Sequence, residues 1–304
     1  MGSHSLGMKF TVGNGGMRCD AAAMKIRLRW AREMALIAGM LVATGESSLA
    51  GDFIRIREDD QATRLQTAYF GYEKDGVRVD LIGAIHIADK RYYEFLNKSF
   101  EGYDALLFEM VGGEKLGGGE KEPEPEQEPA ENKLAALLTV YETMEKSLGL
   151  SGQGAVIDYT AENFVHADLT MKEFDALQKE RGESLLGFMI QSALTAERPA
   201  REPNSINLMR GMLGGKPELV KMELMHSMAD ADKQLDSLDG ENVIIGDRNA
   251  RCIEVLNREI AAGKKKLGIF YGAAHFPDME RRLMEKGFTR VSQKWATAWR
   301  VAKQ

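Results

Sequence analysis

Gly83-Ala84-Ile85-His86-Ile87-Ala88-Asp89 decides the fold, because Gly272-Ala273-Ala274-His275-Phe276-Pro277-Asp278 repeats its Gly, His and Asp at the same spacing near the other end of the chain. Each copy follows an apolar run, Val77–Ile82 in the first and Leu267–Tyr271 in the second, and each precedes a charged, helix-like segment. The pattern reads as a strand that stops at a Gly, where the backbone turns sharply, and leaves a His at its carboxyl end. The Asp then falls near the N-terminus of the next helix, where a carboxylate is favoured. Open α/β sheets bind ligands at the carboxyl ends of their strands, so two such turns can face one pocket from distant parts of the sequence. A strand-end His can also be a packed or solvated loop residue, but two of the five histidines occupy this motif.

The rest of the chain fits an α/β protein with a mixed β-sheet, flanking helices and paired strand–Gly-x-x-His–helix units. Thr63–Tyr72 and Val77–Ile85 are alternating or apolar runs joined by Glu73-Lys74-Asp75-Gly76, and Asp-Gly between such runs predicts a hairpin. Lys90–Phe100 has Tyr93, Leu96 and Phe100 on one helical face. Ala105–Met110 reads as a buried strand that carries Glu109 near its end, where an acid is costly unless it is paired, solvated or metal-bound. Asn242–Gly246 reads as another buried strand, leading through Asp247-Arg248-Asn249 into a helix over Ala250–Ala262. Ala296–Val301 is a candidate closing strand.

Between these pieces, Gly112–Glu131 is Gly-rich and then Glu- and Pro-rich, a composition that favours an extended, disordered acidic loop. Residues 132–235 read as a helical insertion, with helices predicted over Lys133–Leu148, Met171–Lys179, Ser184–Thr195 and Pro217–Leu235. Within it His166-Ala167-Asp168 stands at a helix entrance, either as a ligand pair or as a buried His beside an Asp/Thr capping arrangement. His226, in mid-helix, reads as structural.

Composition narrows the function. The 304 residues are 44% hydrophobic, enough for a sizeable core, and the formal net charge is −6. Residues 1–50 are basic on balance, so the remainder is more acidic than the whole, which argues against nucleic acid or an anionic membrane surface as the main partner. With only Cys19 and Cys252, neither a disulfide framework nor a Cys-type zinc site can be built. Residues 1–50 read as a leader with a signal peptide over 24–50: Lys25, Arg27, Arg29 and Arg32 precede the apolar stretch Met34–Thr44, and Ser48-Leu49-Ala50 puts small residues before a cut at Gly51. The alternative is a short amphipathic N-terminal helix. The signal-peptide reading predicts a secreted or periplasmic chain, residues 51–304 forming a single domain without a membrane span.

These features together resemble the TraB/PrgY/GumN/TIKI family. The resemblance rests on Gly83-Ala84-Ile85-His86, the strand-end Glu109, Asp247-Arg248-Asn249 before a helix, and Gly272-Ala273-Ala274-His275, in this order across about residues 65–300. It implies that His86, Glu109, Arg248 and His275 are functional positions. TIKI members are metal-dependent proteases, TraB and PrgY act against peptide pheromones, and the family is itself similar to erythromycin esterases and haem-binding ChaN-like proteins. The expected function is therefore a hydrolase, foremost a metal-dependent peptidase acting on a peptide or small-molecule substrate. His86, Glu109 and His275 are suitable ligands for Zn, Mn or Co with a position left for water. There is no His-Glu-x-x-His helix. Arg248 and Asn249, with His166 and Asp168, are the substrate-binding candidates, Arg248 for a carboxylate or a developing oxyanion, the alternative for Arg248 being a salt bridge that braces the turn. Two rival readings are a metal-independent hydrolase with a His as general base, and a protein that holds haem or a metal without turnover.

Overall fold

Asp75 and Gly76 both take positive φ, 49° and 74°, the left-handed pair that a two-residue hairpin turn requires. They join β2 (Ala62–Lys74) to β3 (Val77–Ala84), antiparallel as the sequence predicts. The structure is a computed structural model that describes residues 53–113, 142–183, 204–235 and 242–303, all within one compact unit, Ala50–Gln304. The predicted leader and signal peptide, residues 114–131 of the acidic loop and the helix expected over Ser184–Thr195 lie outside the described residues.

From β3 the sheet turns parallel. Strand β8 (Lys266–Gly272) pairs with β3, β5 (Ala105–Phe108) with β8, and β7 (Phe164–His166) with β5, each in parallel. Along the antiparallel part, β1 (Ile54–Glu58) pairs with one end of β2, and β9 (Thr289–Ala302) runs along it from Ala62 to Glu73. The closing strand is thus real and longer than Ala296–Val301. The two-residue β4 (Ile87–Ala88) and β6 (Ser151–Gly152) form a separate small ladder just beyond His86.

Helices cover both faces. On one, α1 (Lys90–Phe100) buries Tyr92, Tyr93, Leu96 and Phe100 among Ile82, Leu106, Phe270 and Trp299. The short α2 (Gln153–Val156), α3 (Met171–Arg181), α4 (Ser205–Leu213) and α5 (Pro217–Leu235) follow in the chain, and Met225 of α5 joins that same core. On the other face, α6 (Arg248–Ala261) and α7 (Phe276–Glu285) pack Cys252, Leu256, Met279 and Leu283 against Leu81, Leu107 and Ile269. Successive residues such as Leu81 and Ile82 enter opposite cores, the two-residue period of a strand buried on both sides.

Two expectations change. Asn242–Gly246 is not a strand: Val243–Asp247 forms a π-helical turn, capped by the Asn242 side chain accepting from Ile245 N at 2.8 Å, and it runs directly into α6 at Arg248. A short, wholly apolar run carries no period to separate helix from strand, and β3, β8, β5 and β7 pair consecutively without a gap for another strand. Residues 132–235, expected to be helical, also supply β6 and β7, and β7 belongs to the main sheet. Of the helix predicted over Lys133–Leu148, residues 142–148 are described and helical.

Trp299 of β9 is fully buried and its indole N–H donates to Ile87 O at 2.6 Å, tying the last strand to the segment that follows His86. Trp299→Ala should therefore cost about 3–5 kcal/mol of stability, seen as a lower urea midpoint. A loss of under about 1 kcal/mol would be that of a side chain outside the core.

Candidate active site

The four parallel strands β3, β8, β5 and β7 end side by side, and nearly every predicted site residue sits at or just past one of those ends. Ala84 lies opposite Gly272, Phe270 opposite Phe108, and Phe108 opposite His166. His86, His275, Glu109 and the pair His166 and Asp168 therefore leave adjacent strands on one side of the sheet, where open α/β sheets hold their ligands. Arg248 reaches the same edge from the first residue of α6.

Arg248 is the hub. Its Nε and Nη2 donate to Asp168 Oδ1 and Oδ2 at 3.0 and 2.6 Å, a two-pronged guanidinium–carboxylate pair. Nη2 also donates to Glu109 Oε1 at 2.6 Å. Nη1 is held more loosely, 3.4 Å from both Ile244 O and His275 Nε2. The side chains of Asp168, His275, Arg248 and Glu109 are 0%, 5%, 11% and 20% exposed, so the cluster is largely shut off from solvent and Glu109 is its most exposed member. Burial alone would lower the Arg248 pKa, but Glu109 and Asp168 raise it above its ordinary value. Burial would conversely raise Glu109, and His275, Arg248 and the Gly272 N–H together hold it well below 4.5.

His275 is held from both ends. Its Nδ1 is 2.6 Å from Asn249 Oδ1, and its Nε2 is 3.4 Å from Glu109 Oε1. Asn249 Nδ2 donates to His275 O at 3.0 Å and to Asp278 Oδ2 at 2.9 Å. Tyr271 sets its ring edge-on to His275, 5.3 Å between centroids, while its hydroxyl donates to Ala167 O. The glycine shared by the two Gly-x-x-His turns has a different physical role from making a sharp backbone turn. Neither Gly83 nor Gly272 has a positive φ. A Cβ at Gly272 would stand 3.3 Å from Glu109 Oε2, which already accepts the Gly272 N–H at 2.6 Å. A Cβ at Gly83 would stand 3.1 Å from Thr67 Cβ. Close approach, not turning, is what these glycines permit.

The remaining candidates separate. His86 is exposed on the rim, and its carbonyl accepts from Gln153 N at 2.8 Å. His166 is half-buried and donates Nε2–H to Met110 O at 2.7 Å. Thr170, not Asp168, caps α3, in a reciprocal capping box with Glu173. Asp168 and Asn249 are buried and turned to Arg248 and His275 respectively. His226 donates Nδ1–H to Met222 O one turn back in α5. Among the described residues no group of three or more His, Cys, Asp or Glu side chains stands where it could hold a metal ion. Glu109 gives one oxygen to Arg248 and the other to Gly272 N, so it could join His86 and His275 on an ion only by giving up one of these partners. Sequence reading missed Asp278 and Tyr271 as members of the cluster, although Asp278 was part of the repeated motif.

No family model, curated protein or solved structure matches the chain.

Two outcomes follow from the cluster. Arg248→Ala should destabilise by about 3–5 kcal/mol, because it strands the buried Asp168 carboxylate; Asp168→Ala should cost less, since Arg248 keeps Glu109. Equal losses in urea unfolding would contradict that order. Because the folded-state pKa of Glu109 is depressed, its ionised form adds stability above its ordinary value of 4.5, and this is lost as the pH falls through the lower folded value. The stability gap between wild type and Glu109→Gln should be full at neutral pH and shrink as the pH falls from 4.5 toward the lower folded value. A gap that instead widens in acid would reverse the sign.

Proposed function

We propose that the chain is a hydrolase acting on a peptide or small-molecule substrate, with His275 as general base on water. The observation that carries this reading is the held imidazole. Nδ1 is taken by Asn249, while Nε2 stands 3.4 Å from a carboxylate and 3.4 Å from a guanidinium at the carboxyl ends of parallel strands. Water placed at Nε2 would lose a proton to the ring and attack the scissile carbonyl. Glu109, kept ionised by its neighbours, offsets the charge of the imidazolium that forms. Arg248 Nη1, with only long contacts to Ile244 O and His275, offers a donor to the oxygen that becomes negative. The imidazolium then returns the proton to the leaving group. His86, exposed on the rim, is placed to touch substrate. The resemblance to the TraB/PrgY/GumN/TIKI family supports hydrolysis as the reaction class, and the signal-like segment over 24–50 supports an exported location.

A second reading keeps the divalent ion. It rests on the pairing of Ala84 with Gly272, which brings His86 and His275 off neighbouring strand ends. Zn, Mn or Co on His86, His275 and Glu109 would polarise the scissile carbonyl and acidify water, and Glu109 would have to exchange Arg248 for the ion.

A peptide and ester library assayed with and without chelator separates the two. Under the His-base reading, His275→Ala should lower turnover by about 10²–10⁴-fold while the fold survives, and chelation should leave the wild type unchanged. Chelator-sensitive hydrolysis, restored by one added metal, would replace the first reading with the second. Absence of hydrolysis together with a bound-haem absorption band would favour the haem-binding role.

A further inference from the structure

The two Gly-x-x-His turns each carry an Asp three residues after the His, and the structure gives the two acids different work. Asp89 accepts the backbone N–H of Arg300 at 2.9 Å and pairs with Lys221 at 3.5 Å, which fastens β9 and α5 to the first turn. Asp278 instead faces the buried amide of Asn249.

We propose that Asp278 is a positioning residue that fixes the tautomer of His275 through Asn249. An amide side chain can be turned over without changing its shape, so its orientation is set by its partners. Asn249 is fully buried. One end of its amide faces two groups that can only accept, the His275 carbonyl at 3.0 Å and the Asp278 carboxylate at 2.9 Å. That end must be the NH2. The other end is then the carbonyl oxygen, and the ring atom 2.6 Å away, His275 Nδ1, must carry the proton. In the neutral ring Nε2 is then the lone pair, facing Glu109 and Arg248. Asp278 supplies the charge in this relay: turning the amide over would set Oδ1 against a carboxylate. Arg282 pairs with Asp278 at 2.6 Å and holds the carboxylate in place, while Arg281 adds only an exposed outer pair. The relay rests on His275 being the working group of the proposed hydrolase, though a lone pair at Nε2 serves a general base and a metal ligand alike.

The test uses the whole chain labelled with 15N histidine and read by long-range 1H–15N correlation, which assigns a tautomer to each ring without any turnover. Wild type should show His275 with Nδ1 protonated and Nε2 bare. Asp278→Asn, which lets the amide turn over, should mix in the Nε2–H form and lower kcat about tenfold with KM little changed. Arg281→Ala removes an exposed ion pair to Asp278 without touching Asn249, so it should leave the His275 spectrum and kcat as in wild type. A wild-type His275 protonated at Nε2, or an Asp278→Asn protein that keeps the pure Nδ1–H form, overturns the relay. Asp278→Ala stands in for Asp278→Asn if the latter does not fold, with the same expected mixing, and the wild-type spectrum decides against the relay whichever variant is made. If no hydrolysis is found in the wild type, the spectra still judge the relay, so the loss of the hydrolase reading and the loss of the relay are told apart.

Discussion

A single guanidinium holds the site together. Arg248 draws Asp168 from the end of β7 and Glu109 from the end of β5, while its own backbone begins α6. Two carboxylates this close would repel each other in a dry cleft, and one would take up a proton. With the cation between them that repulsion is offset, and the ends of two strands and a helix are fastened at one point. The pair to Asp168 is inaccessible to water, so its geometry is also the price of keeping either charge inside.

From that hub the imidazole gains its setting. Glu109 reaches His275 on one side and the Gly272 N–H on the other, and the absence of a Cβ at Gly272 lets the carboxylate come so close. Asn249, one residue after Arg248, reads the opposite edge of the ring. Adjacent residues on the first turn of α6 therefore grip both carboxylates and the histidine, which explains why Asp247-Arg248-Asn249 had to lead straight into a helix. An extended backbone at Arg248 and Asn249 themselves would have pointed the two side chains to opposite faces.

Much of this was legible in the residues themselves. The two Gly-x-x-His turns, the hairpin at Asp75-Gly76 and Glu109 at a strand end all announce themselves through local chemistry, and the structure puts the two turns and Glu109 at one sheet edge, with the hairpin at the opposite end. What was not legible is long-range or too short to have a period. β7 is three residues long and earns its place only by pairing with β5. The run Val243–Gly246 is apolar throughout, so it could not declare itself a turn of helix. Asp168 looks like a capping residue from its position before α3, and its true partner lies 80 residues downstream. His86 had the same motif as His275, yet it ends exposed at the rim, because the small β4–β6 ladder and Asp89 carry the chain after it toward β9.

The pairing of β2 with β9 sets a condition on how the chain can be made. Residues 62–73 find their partners at 289–302, so one whole edge of the hairpin's first strand has no neighbour until residues 289–302 have left the ribosome. Closing so long a loop is slow compared with forming the β2–β3 hairpin, which needs only a two-residue turn. During synthesis the hairpin therefore stands with an open edge and an uncovered apolar face, a surface on which other chains can pair. The fourteen residues of β9 act as the lock of the sheet, which is complete only once they have been made.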